Sequence, residues 1–130
     1  MTENVSFTQV ILYTDADGRA KFRDEVIVLA EGTPQTRLSA LMPAKATQLR
    51  RSPVDFRSEF HCTGEPQWLF VLSGVMEIGL QDGSWRRFEP GEHFFSADVL
   101  PAGAAFDPAL HGHCSRQVGD ADLVTLFVKV

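Results

Sequence analysis

The sequence predicts an all-β protein whose strands form a closed or nearly closed sheet. Short runs of strand-forming residues are separated by turn residues about every ten positions, a pattern typical of sandwiches and barrels. Ten glycines and seven prolines are spread through the chain, and no window longer than about ten residues keeps a helical apolar period between them. Closure of the sheet would also remove the exposed strand edges that so many strands would otherwise leave.

The predicted strands run from residue 7 to the C-terminus and are divided by recognisable turns. Asp17-Gly18 and Asp82-Gly83 offer the positive φ of tight hairpins, Pro90-Gly91 suits a turn, and Ser73-Gly74 marks a bend between two strong strand patterns. The predicted strands are Phe7–Tyr13, Phe22–Leu29, Arg37–Leu41, Thr47–Arg51, Phe56–Cys62, Trp68–Leu72, Val75–Leu80, Trp85–Phe88, Phe94–Ala97, His113–Val118 and Leu123–Val130.

Composition and charge narrow the class of protein. The 130 residues are 44% hydrophobic and 22% charged, which predicts one globular domain over residues 1–130. A net charge of −5 without a basic run argues against nucleic acid and anionic membrane surfaces as partners. We expect no signal segment and no membrane span, and two cysteines make no disulfide framework. A reducing cytoplasm is the expected location.

The stretch from residue 56 to residue 63 is predicted to alternate between an apolar and a polar face. Arg57, Glu59, His61 and Thr63 would share the polar face of this strand, because side chains alternate across a strand. That face is either exposed to solvent or directed into a wet barrel lumen, and the pattern alone favours solvent.

The next strand is apolar on both faces, as expected in the middle of a sandwich or small barrel. Gln67 leads onto the face of Leu69 and Val71, so an amide would sit at the mouth of an apolar interior. Trp68 and Phe70 lie on the other face. If that face is the outer one, other strands, the N-terminal arm or a second subunit must cover it.

At this point the sequence resembles the cupin superfamily of small jelly-roll barrels. His61 takes the first histidine position of the family's first motif and Gly74 its final glycine, and FVLSG followed by VMEIGL resembles the strand–turn–strand ending. The sequence departs from the motif at three positions: Thr63 replaces the second histidine, Gln67 the glutamate and Asp55 the opening glycine. Half of the family's usual metal-ligand set is therefore missing.

The second cupin motif is matched in one of two registers. Pro101-Ala102-Gly103 matches its middle, but Phe106 and Leu110 then stand where histidine and asparagine belong. The better register uses the turn at residues 88–91 and the segment 107–116, and it places His113 at the histidine position. The resemblance implies a double-stranded β-helix, or jelly-roll barrel, with residues 56–130 as the motif region. It also implies a homodimer in which the N-terminal strands, residues 1–30, could act as an arm.

The residues brought together by this resemblance predict a small-molecule pocket. His61, Gln67 and His113 would form a metal site, with His111 as a fourth candidate, for one divalent transition metal (Fe, Zn, Ni, Mn or Cu) or for none. A small, anionic organic molecule would complete the shell.

The walls of that pocket would be Arg57, Glu59, Leu69 and Val71. The alternative is a metal-free binding or sensing protein that uses the same residues for hydrogen bonds, and a third is a barrel that acts only through its dimer surface. His93 is expected to be structural, and Cys62 and Cys114 to be buried free thiols.

Overall fold

The computed structural model describes residues 5–130, and in this range the chain folds entirely as strands and loops. No helix in this range is long and apolar enough to cross a membrane. The strands are β1 (Ser6–Thr14), β2 (Ala20–Val28), β3 (Glu31–Thr33), β4 (Thr36–Leu38), β5 (Ala46–Ser52), β6 (Gln67–Ser73), β7 (Val75–Gly79), β8 (Trp85–Phe88), β9 (His93–Ala97), β10 (Cys114–Val118) and β11 (Leu123–Lys129).

The strand order is that of a jelly roll. One sheet has the order β2-β1-β9-β6-β11-β5, and the second has the order β10-β7-β8. Residues 57 and 61 extend the second sheet by isolated antiparallel bridges to β10. From β5 onward the chain passes between the two sheets repeatedly, so that the sheets face each other across one core. The predicted all-β jelly-roll fold is confirmed.

The core between the sheets is formed by side chains that alternate inward along each strand. Leu69 and Val71 of β6 are buried there with Met76 and Ile78 of β7 and with Phe94 of β9. Phe94 is the largest of the fully buried side chains. Trp68, on the opposite face of β6, is also buried, so the prediction that this strand is apolar on both faces agrees with the structure.

The N-terminal hairpin brings residues from the start of the chain to the end of β9. Its turn is held by the ammonium of Lys21, which lies 2.6 Å from Asp15 and 3.1 Å from Asp17. Strand β1 pairs in parallel with β9, with Tyr13 opposite Ala97. Thr14 is therefore carried to the point where the chain leaves β9 at Asp98. The predicted segment 1–30 includes residues 1–4, which lie outside the described residues.

Residues 56–62 do not form the regular strand that the alternating pattern predicts. Only two bridges hold this segment, one from Arg57 to Arg116 of β10 and one from His61 to His113, the residue just before β10. The two bridges are four residues apart on one side and three on the other, so the segment contains one extra residue. An extra residue of this kind reverses the alternation of faces along the strand that contains it.

Candidate functional site

Two histidines lie side by side at one end of the space between the sheets. Their backbones form a reciprocal pair, in which the His61 N–H donates to the His113 carbonyl at 2.9 Å and the His113 N–H donates back at 3.0 Å. Partners in such a pair carry their side chains on the same face. The two imidazole centroids are 4.8 Å apart, and the ring planes are inclined by 56°. His113 is buried and His61 is exposed, so the pair reaches from the interior to the surface.

The His113 ring is held by a buried carboxylate. Its Nδ1 lies 2.8 Å from Oδ2 of Asp98, and Asp98 is fully buried. The Thr14 hydroxyl lies 2.7 Å from the other carboxylate oxygen, Oδ1, and 3.0 Å from the Val99 carbonyl. An ionised carboxylate can only accept hydrogen bonds. The hydrogen of neutral His113 is therefore assigned to Nδ1, which leaves a lone pair on Nε2.

The His61 ring has the same tautomer for a different reason. Its Nδ1 lies 2.8 Å from the backbone carbonyl of Glu59, which can only accept. Partial burial of the ring lowers the pKa of His61, against an opposing contribution from the bond to Glu59. A protonated His113 and the Arg50 guanidinium would lower this pKa further, and the Asp98 carboxylate raises it. His61 is thus neutral at neutral pH. In its neutral form, each of the two imidazoles therefore carries its lone pair on Nε2.

Gly112 allows this close pairing. Its φ is +83°, and an added Cβ would lie 2.6 Å from the carbonyl oxygen of His61. The turn at Gly112 also separates His111 from the pair. His111 is buried, and its Nδ1 accepts the backbone N–H of Asp107 at 3.0 Å. The predicted fourth ligand is thus engaged in holding its own loop.

The predicted amide ligand lies on the neighbouring sheet. Gln67 is at the start of β6, directly opposite Ser96 of β9 and on the face of Leu69 and Val71. Its side-chain amide makes no hydrogen bond with any group of residues 5–130. Ser96 is bonded instead to the Thr63 hydroxyl, and both are buried. The structure therefore brings His61 and His113 together, and neither ring forms a hydrogen bond with the Gln67 side chain.

Leu69 and Val71, predicted to line the pocket, are packed in the core. Their side chains are 6% and 1% exposed and contact other core residues. The lower part of the lumen is thus filled by apolar side chains.

The predicted pocket residue Arg57 does not share the face of His61. The extra residue between the two bridges places Arg57 beside Arg116, whose guanidinium binds Glu77 at 2.7 Å. Arg57 instead borders a separate cavity of about 400 Å³ with Asp55, Arg116, Gln117 and Val118. The alternation argument fails here because it assumes an unbroken strand.

The other predicted pocket residue of this segment, Glu59, has an exposed side chain. Its contribution to the histidine pair is its backbone carbonyl. A cation that the sequence argument did not select, Arg50 of β5, is close enough to lower the pKa of His61. Arg50 packs 4.6 Å above the centre of the Phe56 ring and forms no ion pair within residues 5–130.

The cysteines do not complete the histidine pair. Both are free thiols, and burial raises the pKa of each, so both are protonated at neutral pH. Cys114 lies with its sulfur 3.8 Å from the Gly79 carbonyl. In the part of the chain from residue 5 to residue 130, no three His, Cys, Asp or Glu side chains are grouped so as to hold a metal.

His93 lies on the opposite, outer face of the larger sheet. Its ring stacks on Phe7 at 5.1 Å and contacts Trp68 and Phe70 edgewise or tilted. Its Nδ1 is buried without a hydrogen-bond partner in the described range, and burial lowers the pKa of His93. It borders an apolar groove of about 370 Å³, lined by Phe7, Ile27, Leu29, Ser39, Met42, Pro43, Ala44, Trp68, Phe70, His93 and Val128.

Sequence reasoning missed Asp98, Thr14 and Arg50. A signal for Asp98 was present, because Phe94, Ser96 and Asp98 alternate along β9 and all three are buried. The regular alternation thus carried a polar residue inward just past the strand end. No comparable signal marks Thr14, because its role arises from the parallel pairing of β1 with β9.

The chain is similar at low sequence identity to several proteins of known structure. The protein NMB1881 from Neisseria meningitidis is 16% identical, with 65% of this chain and 72% of that chain covered and a TM-score of 0.41. The cupin domain of Cnp3 from Schizosaccharomyces pombe is 9% identical, with 100% and 86% covered and a TM-score of 0.47. No protein-family model and no curated protein matches the chain. The chain is a small jelly roll, as its own strand order shows.

The close approach at Gly112 gives a prediction about stability. Gly112→Ala and Gly83→Ala both introduce a side chain at positive φ, a strain of about 1–2 kcal/mol, but only at Gly112 would the new Cβ meet backbone. We expect Gly112→Ala to lower the free energy of unfolding by roughly 1–3 kcal/mol more than Gly83→Ala. Urea denaturation of the two variants measures this difference, and equal losses would contradict it.

The buried ring of His93 gives a prediction about pH. The pKa of His93 in the folded protein lies below 6.5, the ordinary value for histidine. The unfolded chain therefore takes up a proton more readily than the folded chain. Stability is therefore independent of this group above pH 6.5 and falls as the pH drops below it. His93→Phe keeps the aromatic contacts and removes the titration, so its stability should decline less on acidification. Urea denaturation of both proteins at a series of acidic pH values tests this expectation. Other groups, such as His61, cause the pH dependence of stability that remains in His93→Phe. Parallel curves for both proteins would refute it.

Proposed function

We propose that this protein binds a small anionic organic molecule at the His61–His113 pair, with the help of one divalent transition metal. The observation that carries the proposal is the matched state of the two rings. Each has Nδ1 engaged by an acceptor, Asp98 in one case and the Glu59 carbonyl in the other. Each therefore offers Nε2 as a neutral donor, the form in which imidazole binds metals.

The separation of the rings fits a shared ion. With metal–nitrogen distances of about 2.0–2.1 Å and angles near 90–110°, two imidazoles on one ion have centroids about 4.5–5.3 Å apart. The value here is 4.8 Å. Imidazole suits zinc, iron, nickel and copper. No three His, Cys, Asp or Glu side chains within residues 5–130 are grouped so as to hold a metal, so positions on the ion would be open to water, to the Gln67 amide or to the bound molecule.

Charge favours an anion as that molecule. Two neutral imidazoles leave the charge of a divalent ion uncompensated, apart from the Asp98 carboxylate behind His113. The Arg50 guanidinium is near His61 and lacks an ion-pair partner in the described range. We propose that Arg50 receives a carboxylate of the bound molecule. A bound metal would supply a Lewis acid at this site.

In this proposal each of the residues at the site has its own role. His61 and His113 hold the ion, Asp98 fixes the ring of His113, and Arg50 orients the anion. The packed core below, with Leu69 and Val71, keeps water from the inner side of the site. Whether a reaction follows is a separate question, and dioxygenase-like, isomerase-like and decarboxylase-like chemistry are all compatible with open coordination positions.

A metal-free binding protein is the second candidate. It is favoured by one observation, that the described chain contributes only two grouped metal-ligating side chains. In this case the two Nε2 atoms accept hydrogen bonds from the bound molecule, and Arg50 still pairs with its carboxylate. Gln67 stays part of the proposal in both versions, as a group whose side-chain amide would contact the ion or the bound molecule.

Metal titration distinguishes the two candidates. Calorimetric titration of chelator-treated protein with Zn²⁺ and Ni²⁺ should show one site per chain. His61→Ala and His113→Ala should each lower the affinity for the metal by more than about 100-fold. This loss is larger than the one caused by removing only a hydrogen-bond partner of a ligand. His93→Phe is the matched control, because it removes a histidine from the other face of the sheet. Absence of binding to the parent protein would reject the metal, and thermal shifts with small carboxylates would then test the second candidate, with Arg50→Gln abolishing them.

We further propose that the protein is a homodimer through the outer face of the larger sheet, the face that carries Trp68 and Phe70. Large apolar side chains remain exposed there, including Phe7, Leu49 and Leu72. An apolar area of this kind on a soluble chain usually marks an interaction site. The location in a reducing cytoplasm stays part of the proposal, and the two free thiols are compatible with it.

A pair of matched substitutions tests the dimer. Leu49 is 68% exposed on the proposed face, where it lies opposite Leu126, whereas Val26 is 63% exposed on the other face of the same sheet, opposite Thr8. By light scattering after size exclusion, the parent protein and Val26→Glu should be dimers and Leu49→Glu a monomer. A monomeric parent protein would disprove the dimer, and a dimeric Leu49→Glu would move the interface elsewhere.

A further inference from the structure

A chain of hydrogen bonds connects the N-terminal hairpin with the histidine pair. It runs from the hydroxyl of Thr14 through the Asp98 carboxylate to Nδ1 of His113, over distances of 2.7 and 2.8 Å. Thr14 and His113 come from opposite ends of the sequence, and Asp98 joins them from the end of β9. Asp98 and His113 are both buried.

We infer that Asp98 and Thr14 are positioning residues, which fix the tautomer and orientation of His113 so that its Nε2 is presented to the site unprotonated. The inference rests on the proposed function, which gives the Nε2 atom its role. The hydrogen-bond argument for the tautomer holds without a metal. A neutral imidazole has two tautomers, and its hydrogen bonds decide which one forms. Asp98 accepts only, so it selects the hydrogen on Nδ1.

Thr14 has its own part in this selection. Its hydroxyl has one hydrogen and two acceptors in reach, Oδ1 of Asp98 and the Val99 carbonyl. It can therefore donate to the carboxylate, or donate to Val99 and accept from whatever replaces the carboxylate oxygen. Its position beside Oδ1 leaves Oδ2 for His113. Thr14 thus fixes the orientation of the carboxylate and, where an amide replaces it, determines which end of the amide faces the ring.

This arrangement makes a specific forecast for Asp98→Asn. The amide NH₂ can donate to the Thr14 oxygen while the Thr14 hydroxyl donates to Val99, which leaves the amide oxygen for Nδ1 of His113. The tautomer should survive. In Asp98→Asn combined with Thr14→Val, nothing orients the amide, and its NH₂ can turn to the ring. The hydrogen of His113 should then shift at least partly to Nε2.

The experiment is nitrogen NMR of the metal-free protein with labelled histidine, in mildly alkaline buffer where the imidazoles are neutral. The rings of His61 and His111 are internal standards, and the ring of His113 is the one under test. His61 should keep its hydrogen on Nδ1 in every variant because Glu59 holds it, and His111 should keep its hydrogen on Nε2 because its Nδ1 accepts from Asp107. His113 should have Nδ1–H in the parent protein and in Asp98→Asn, and should change only in Asp98→Ala and the double variant.

Thr14→Ser serves as the conservative rescue, because it restores the hydroxyl without the methyl group. Combined with Asp98→Asn, Thr14→Ser should retain the Nδ1–H tautomer of His113. The combination of Asp98→Asn with Thr14→Val should lose it. An unchanged His113 tautomer in the folded double variant and in Asp98→Ala would overturn the inference, and so would Nε2–H in the parent protein. Unchanged spectra of His61 and His111 show that a variant is folded.

Zinc affinity provides the second readout. Variants that lose the Nδ1–H tautomer should bind Zn²⁺ about 10–100-fold more weakly, the range for losing the group that holds a metal-binding histidine. Absence of zinc binding in the parent protein would reject the proposed function and leave the NMR result to decide the inference. Normal zinc binding in a variant with the changed tautomer would remove the role assigned to Asp98.

Discussion

The burial of the Asp98 carboxylate constrains the arrangement of this whole end of the barrel. A buried charge is costly unless hydrogen-bond donors surround it. The donors come from the end of β1 and from the start of β10, so two distant parts of the chain must meet at the end of β9. The parallel pairing of β1 with β9 is what allows this. Without that pairing the carboxylate would have one partner, and the hairpin would have no polar contact with the site.

The two histidines are similar in tautomer and different in environment. His113 is interior and fixed by a side chain, whereas His61 is at the surface and fixed by its own backbone. The buried ring is therefore enclosed by the protein, and the exposed ring is accessible from solvent.

The fold could be predicted from the sequence because it depends on patterns that repeat. Alternation in β6, β7 and β9 and the glycine turns mark strands whatever their neighbours are. The site was predictable only in part. His61 and His113 follow from the cupin resemblance, but the groups around them do not. Arg57 was misplaced because one extra residue in the 56–62 segment changes the face, and local composition does not reveal a bulge. Thr14 and Arg50 could not be found, because their positions depend on pairings between distant strands.

The separation in sequence between the parts of the site has a consequence for how the protein is made. Thr14 and Asp98 are 84 residues apart, and His113 follows Asp98 by another 15. During synthesis the N-terminal hairpin leaves the ribosome long before its partners exist. The carboxylate can be enclosed only after nearly the whole chain has emerged, and such distant pairings form slowly. An intact histidine pair is therefore a late event in folding, and a nascent or truncated chain would lack it altogether.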